Sequence, residues 1–395
     1  MNELRPVTAK EWPEFWSVLE TAFHERPWPE GAEHFGRLVA PEETLAAFED
    51  GRIVATSAAP VSELTVPGAV LPAACVTMVG VLPTHRRRGL LTAMMNGLLA
   101  RSAETRAPLA VLWASEGPIY GRFGFGRATA AGRVSIRTRD ATLVGGAPGS
   151  ADGVMLQDAA AGHDEVAAVY EQVRPRWPGF LGRTDARWRD RLEDPEGRRR
   201  DNERPLRVAR ADGGYAIYSV APDWSDDGPN GEITVRELIA TGAEPYAALW
   251  RFLLGHDLVR RATWWLGPPD EPLGHMLTDP RAVRVERRDG LWLRILDVPA
   301  ALTARTYATP LELALAVDGE RWRLAADGDD RACERTDADA DLALSIADLG
   351  AAYLGAPVLG PLAFAGRVHE LTPGALARAA AAFATPREPW CPEVF

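Results

Sequence analysis

Three consecutive arginines and a glycine, Arg86-Arg87-Arg88-Gly89, stand between an apolar run (73–82) and a stretch with helical periodicity. In the latter, Leu90, Leu91, Met94, Met95, Leu98 and Leu99 recur at i, i+4, i+8. A buried strand, a basic glycine-containing turn and a helix, in that order, aim free backbone N–H groups and a positive dipole end at a phosphate. Adjacent guanidinium groups repel one another, and a pyrophosphate among them would relieve that repulsion in a chain of net charge −11. An ordinary arginine-rich turn has the same composition, so both readings stand on this stretch alone. Tyr120 lies between an apolar run (109–113) and a glycine-rich turn, Gly121-Arg122-Phe123-Gly124. A tyrosine so placed is usually a core residue with a satisfied hydroxyl. The last residues, Pro386-Arg387-Glu388-Pro389-Trp390-Cys391-Pro392-Glu393-Val394-Phe395, hold prolines and aromatics that frayed ends seldom carry. Such an end either plugs a groove or takes part in chemistry.

The elements that must position these residues follow from pattern. Thr8 and Glu11 have capping-box spacing ahead of Trp12, Phe15, Trp16, Leu19 and Phe23 on one helical face, with Pro13 slightly late for a first turn. Segments 45–49 and 53–59 flank Asp50-Gly51, a hairpin signal. Strands at 61–66 and 73–82, the helix to about 103 and a buried strand at 109–113 complete an α+β order ending in a βαβ-like crossover. Residues 144–153 are almost wholly turn-forming and read as a linker. Beyond them a helix at 165–173, strands at 215–220 and 232–240, a helix at 245–254 and a strand at 262–266 repeat the crossover without its Arg-x-x-Gly. That order points to a divergent duplication that lost the basic turn. Arg198-Arg199-Arg200 reads as a solvated loop. From about Pro299 a hairpin around Asp318-Gly319 is followed by two helices. Ser345 caps the first, with Asp348 at the box position, and Thr372-Pro373 opens the second as N-cap and N1.

Bulk properties bound the function. A chain of 395 residues exceeds what one core usually supports. Its 46% hydrophobic and 25% charged residues are those of a globular protein. No apolar run reaches the about 20 residues of a membrane span, and the first residues lack the apolar core of a secretory signal. Cys75, Cys333 and Cys391 lie far apart, so neither a disulfide framework nor a zinc site is indicated, and a reducing cytoplasm is the expected location. No spacing of histidines or carboxylates suggests a metal. The negative balance disfavours nucleic acid and suits a cationic partner. His85 reads as a turn residue, and Trp264-Trp265 as core or subunit interface.

The segment 86–91 resembles motif A of the GNAT acyltransferase superfamily, the acetyl-CoA pyrophosphate loop R/Q-x-x-G-x-G/A, departing at the sixth position where Leu91 replaces a small residue. Over nearly its whole length the chain resembles the Eis (enhanced intracellular survival) family of N-acetyltransferases. The likeness rests on the blocks 81–91, 114–124 and 289–302 and on a terminal Phe. It implies an N-terminal GNAT domain (1–145), a central GNAT-like domain without a cofactor site (152–290) and a C-terminal domain like sterol carrier proteins (291–395), whose end returns to the active site. It also implies a homohexamer, acetyl-CoA as acyl donor, and acetylation of primary amines on aminoglycosides or lysine side chains, at several positions.

Residue by residue, the resemblance sets Val79, Gly80 and Val81 against pantetheine and thioester. Arg87, Arg88, Gly89, Leu90, Leu91 and Thr92 would wrap the pyrophosphate, and Ser115 and Glu116 would flank the donor on the next strand. Tyr120 matches the family's general acid and the carboxylate of Phe395 its general base. Phe23, Glu25, Phe35, Met78 and Trp113 match acceptor-pocket positions. Val394 stands where the family has an acidic residue, and Glu393 is a candidate substitute.

The chemistry is consistent from below. A phenol of pKa about 10 can protonate a thiolate whose acid is near 8.5, at a cost of about 2 kcal/mol. A terminal carboxylate near 3.5 lies about 7 units below a lysine-like amine, so direct deprotonation would cost about 9 kcal/mol. It must be raised by burial, act through water, or take the proton after attack. With no cysteine in place for a covalent step, a ternary-complex mechanism is expected. The rival readings are a lipid or acyl-CoA binding protein with a vestigial GNAT site, and an enzyme using a longer acyl-CoA on protein lysines.

Overall fold

The computed structural model describes residues 3–196, 199 and 202–395. Internal contacts divide the chain into two compact units. One comprises Met1–Thr129, Gly290–Pro389 and Val394–Phe395, and the other Ala130–Asp289 and Trp390–Glu393.

In the first unit an eight-stranded sheet runs in the order Glu3–Arg5, Ala46–Glu49, Arg52–Ala58, Ala69–Val81, Leu109–Trp113, Leu291–Ile295 and Gly126–Arg127, with Val61–Val66 also paired to Ala69–Val81. Strand periodicity assigns the two faces. Ala46, Phe48 and Ile53 share a core with Trp12, Phe15 and Val18 of the helix Trp12–Phe23. Ala47 and Val54 instead meet Leu90 and Met94 of the helix Leu90–Glu104. Pro13 falls inside the first turn, not late for it as expected, and there the missing N–H costs nothing. Glu11 reaches back to the Thr8 N–H at 2.8 Å, half of a capping box. His24 ends the helix in the left-handed region at φ 58°.

The strand Leu291–Ile295 corrects the expected boundary at 291. It inserts antiparallel between Leu109–Trp113 and Gly126–Arg127, completing the first sheet instead of opening the third domain. The remaining segment forms a five-stranded sheet, in the order Asp330–Arg335, Glu320–Asp327, Leu311–Val317, Leu342–Leu344 and Val368–Glu370. Its helix Ile346–Tyr353, capped by Ser345 as expected, lies hard against the first sheet. A Cβ on Gly126 would stand 1.7 Å from the Ala347 carbonyl oxygen, and one on Gly350 2.4 Å from that of Leu293. Thr372 does not cap the last helix: Ala375–Phe383 begins after Gly374, at φ 85°.

The second unit holds a seven-stranded sheet: Val283–Asp289, Ala130–Arg137, Val259–Gly267, Gly231–Ala240, Gly214–Ala221, Arg207–Ala211 and Met155–Asp158. Ala130–Arg137 belongs to this sheet, so the second fold begins before the boundary expected at 145. The stretch 144–153 is docked here, with the Val144 N–H on the Met276 carbonyl. The helix Ala243–Leu254 joins the parallel strands Gly231–Ala240 and Val259–Gly267. Arg199 pairs with Asp194 at 2.7 Å, while Arg198 and Arg200 lie outside the described residues. Among the described residues no helix is long and apolar enough to cross a membrane.

Candidate functional site

The site grows from an irregularity in the strand Ala69–Val81. Its parallel ladder with Leu109–Trp113 covers only Ala73 to Val76. Beyond that the two strands part, and the backbone from Thr77 onward has no ladder partner on that side. Against Arg52–Ala58 the register slips, Thr56 facing Gly80 and Ala58 facing Thr77, which leaves Met78 and Val79 in a bulge. Met78 sits at φ 55°, an unusual conformation for a non-glycine residue. The Thr56 hydroxyl clamps the bulge by donating to the Met78 carbonyl at 2.9 Å. Gly80 lets the first helix approach, since a Cβ there would stand 2.9 Å from that of Ala22.

The strand leads through Pro83–His85 to the arginine turn. Arg87 (φ 63°) and Gly89 (φ 81°) are both left-handed, and only glycine adopts that geometry without strain. The helix Leu90–Glu104 starts at Gly89 with no side-chain cap. Its first intrahelical acceptor serves Ala93, so the N–H groups of Leu90, Leu91 and Thr92 lack intrahelical partners. The three arginines are not equivalent. Arg88 is held bidentate by Glu49, which also takes His85 Nε2 at 2.7 Å. Glu49 is thereby drawn down to about pKa 2, chiefly by Arg88, against some desolvation, with His85 adding a lesser pull. Arg86 reaches toward the Ala22 carbonyl at 3.5 Å. Arg87 has no ion pair among the described residues and is exposed. Two left-handed residues, uncapped N–H groups and an uncommitted guanidinium suit a diphosphate, whereas the Arg88 side chain is committed to Glu49.

Tyr120 closes the short helix Gly117–Tyr120 and is 4% exposed. It shares a core with Val76, Leu112 and Trp292, against which Val79, Leu91 and Ile119 also pack. Burial raises its pKa above the usual phenol value, a hydrogen bond with Ser115 works against that rise, and the charge of Glu116 adds to it. The group is a neutral donor at physiological pH. Ser115 and Glu116 lie past the end of the strand at Trp113, in the turn leading to this helix, and not on the strand as expected.

The other sequence-nominated residues distribute unevenly. Phe35 stacks on Trp16 at 4.6 Å and joins Met78 against one core cluster. Trp113 is half-buried opposite Leu291, and its indole N–H finds no acceptor among the described residues. Phe23 and Glu25 are exposed at the end of the first helix. Glu393 does not serve as a spare pocket carboxylate. It is buried in the second unit, where Arg183 Nε reaches it at 3.1 Å. Phe395 stands in the first unit with its backbone oxygen accepting from the Thr77 hydroxyl at 2.9 Å. Sequence reasoning missed Thr77 and Thr56. The available signal was that Thr77 is the only hydroxyl residue in the apolar run 73–82. Among the described residues no cluster of His, Cys, Asp or Glu could hold a metal.

These features define a class. Family models for a GNAT acetyltransferase domain match residues 3–128 and again 179–295, and one for a sterol carrier protein domain matches residues 298–392. The protein is an acetyltransferase of α+β fold with two GNAT domains and a sterol-carrier-like C-terminal domain, as read from the sequence. An uncharacterized N-acetyltransferase of Streptomyces coelicolor is 41% identical over 413 residues, covering 100% of this chain and 99% of its own. The N-acetyltransferase Eis of Mycobacterium tuberculosis is 38% identical over 396 residues, covering 96% of each. The crystal structure of Eis1 from Mycobacterium abscessus matches with a TM-score of 0.86 and 33% identity, over 100% of both chains. The chain belongs to the Eis family of N-acetyltransferases.

Proposed function

We propose that the protein transfers an acetyl group from acetyl-CoA to primary amines of cationic acceptors, aminoglycosides or lysine side chains, at the bulge of Ala69–Val81. The observation that carries this reading is the parting of the strands after Val76, next to Tyr120 and to the oxygen of Phe395. Acetyl-CoA, when bound, supplies an activated acetyl group and a thiolate leaving group. Arg87, Gly89 and the N–H groups of Leu90, Leu91 and Thr92 hold the diphosphate, with the Arg88 backbone beside them. Val79, Gly80 and Val81 take the pantetheine arm, and a Val79 N–H freed from the ladder serves developing negative charge on the carbonyl oxygen. Ser115 and Glu116 flank the donor, and Ser115 orients the phenol of Tyr120, which gives its proton to the leaving sulfur.

The carboxylate of Phe395 accepts the proton released by the amine, either directly after attack or through water. Its charge and that of Glu25 attract cationic acceptors, while Phe23, Phe35, Met78 and Trp113 supply apolar walls. The protein acts in the cytoplasm as a homohexamer.

Thiol release from acetyl-CoA with kanamycin tests the reading in wild type, Tyr120→Ala and a chain lacking Phe395. Clear turnover is expected only for wild type, with mass spectrometry counting the acetyl groups added. Binding of acetyl-CoA without turnover on any amine would favour a vestigial site in a binding protein. Turnover only with longer donors on protein lysines would favour the other alternative.

A further inference from the structure

The bulged strand carries a residue that the proposed mechanism does not yet use. Thr77 is the last residue before Met78, and its hydroxyl donates to the Phe395 backbone oxygen across 318 positions of sequence. Both residues lie in the first unit. Thr77 itself is fixed, because its backbone pairs with Ala58 at the edge of the register slip. The next residue is also held from the other strand, by Thr56 on the Met78 carbonyl.

We propose that Thr77 is a positioning residue that orients the terminal carboxylate of Phe395 for proton acceptance. The inference rests on the reading that the Phe395 carboxylate serves as the base. A carboxylate can rotate about its own Cα–C bond. Holding one of its oxygens from a rigid strand restricts that rotation and keeps the group beside the parted strands. A hydroxyl donor to a charged acceptor is among the stronger single hydrogen bonds. Because Thr77 borders the bulge that contains Val79, one backbone irregularity sets both the base and the N–H aimed at the carbonyl.

The test is a double-mutant cycle. Thr77→Val keeps the β-branched shape and removes the hydroxyl, whereas Thr77→Ser keeps the hydroxyl. Each is measured in the full chain and in the chain lacking Phe395, by thiol release from acetyl-CoA with kanamycin. In the full chain, Thr77→Val should lower kcat about tenfold, with the acetyl-CoA KM and the unfolding midpoint unchanged, and Thr77→Ser should restore it. Without Phe395, Thr77→Val should add no further loss. In ligand-free protein labelled with carbon-13 at phenylalanine carbonyls, the terminal carboxylate signal should move in Thr77→Val and return in Thr77→Ser. An equal loss with and without Phe395, or no loss in kcat, would overturn the inference while a strong effect of deleting Phe395 left the base assignment standing. Full activity without Phe395 would overturn the base assignment itself.

Discussion

Each unit contains a strand–helix–strand crossover with parallel strands, and the two differ in what fills the place where the strands part. In the first, residues 82–89 carry the basic turn between Ala69–Val81 and the helix Leu90–Glu104. In the second, only Thr241 and Gly242 join Gly231–Ala240 to Ala243–Leu254. The second ladder also ends early, at Val235 opposite Trp264. There the exposed backbone groups are taken up by side chains. Arg191 donates to the Arg236 carbonyl at 2.8 Å, and Trp390 Nε1 to that of Leu266 at 2.8 Å. Arg183 lies fully buried between Glu237 and Glu393, over the ring of Tyr170 at 3.9 Å. One parting of strands is sealed by an ion network and an indole, and the other keeps its N–H groups and Arg87 uncommitted. The same supersecondary unit serves as scaffold in one unit and as candidate site in the other.

The largest effect expected is on chemistry. Tyr120→Phe should lower kcat by about 10²–10⁴-fold with little change in acetyl-CoA KM, as expected for loss of a general acid. Since burial raises this phenol's pKa, the alkaline limb of kcat in wild type should lie above about pH 10, where proton donation ends.

Next is the seal of the second crossover. Glu237→Ala strands the Arg183 guanidinium and should cost about 3–5 kcal/mol in urea unfolding. Burial works against the charge of Glu237, yet Arg183 and Arg191 overcome it and hold the carboxyl at about 2, below its ordinary 4.5. Its contribution is therefore complete above the unfolded value and is lost as pH falls toward the folded one. Wild type should lose stability across that acid window.

A smaller effect separates the two turns. Gly89→Val forces a β-branched residue to φ 81° and should raise the acetyl-CoA KM about tenfold or more, alongside about 1–2 kcal/mol of local strain. Gly242→Ala, at an extended φ of −170° with nothing near the added Cβ, should change stability by less than about 0.5 kcal/mol and leave KM alone.

Local chemistry explains what was legible in the sequence. Asp50-Gly51 and Asp318-Gly319 dictate their hairpins, and both pairs take the positive φ values that such turns need. Arg86-Arg87-Arg88-Gly89 announced the basic turn for the same reason. Long-range pairing was not legible. Nothing local to Leu291–Ile295 tells it to insert between Leu109–Trp113 and Gly126–Arg127, because register there is set by distant partners. The bulge at Met78 was hidden too, since a left-handed methionine leaves no glycine in the sequence to mark it. Without the bulge, Thr77 looks like one more residue of an apolar strand. The tail was half legible: its aromatics and prolines promised a docked end, and Trp390 is 1% exposed. Glu393, however, neutralises Arg183 and is not an acceptor-pocket residue.

The proposed function puts one acetyl-CoA site in the first crossover and none in the second. Isothermal titration calorimetry of acetyl-CoA into wild type and Gly89→Val tests it most directly. One molecule should bind per chain, with affinity weakened about tenfold or more in the variant. Two molecules per chain, or binding undiminished by Gly89→Val, would contradict it.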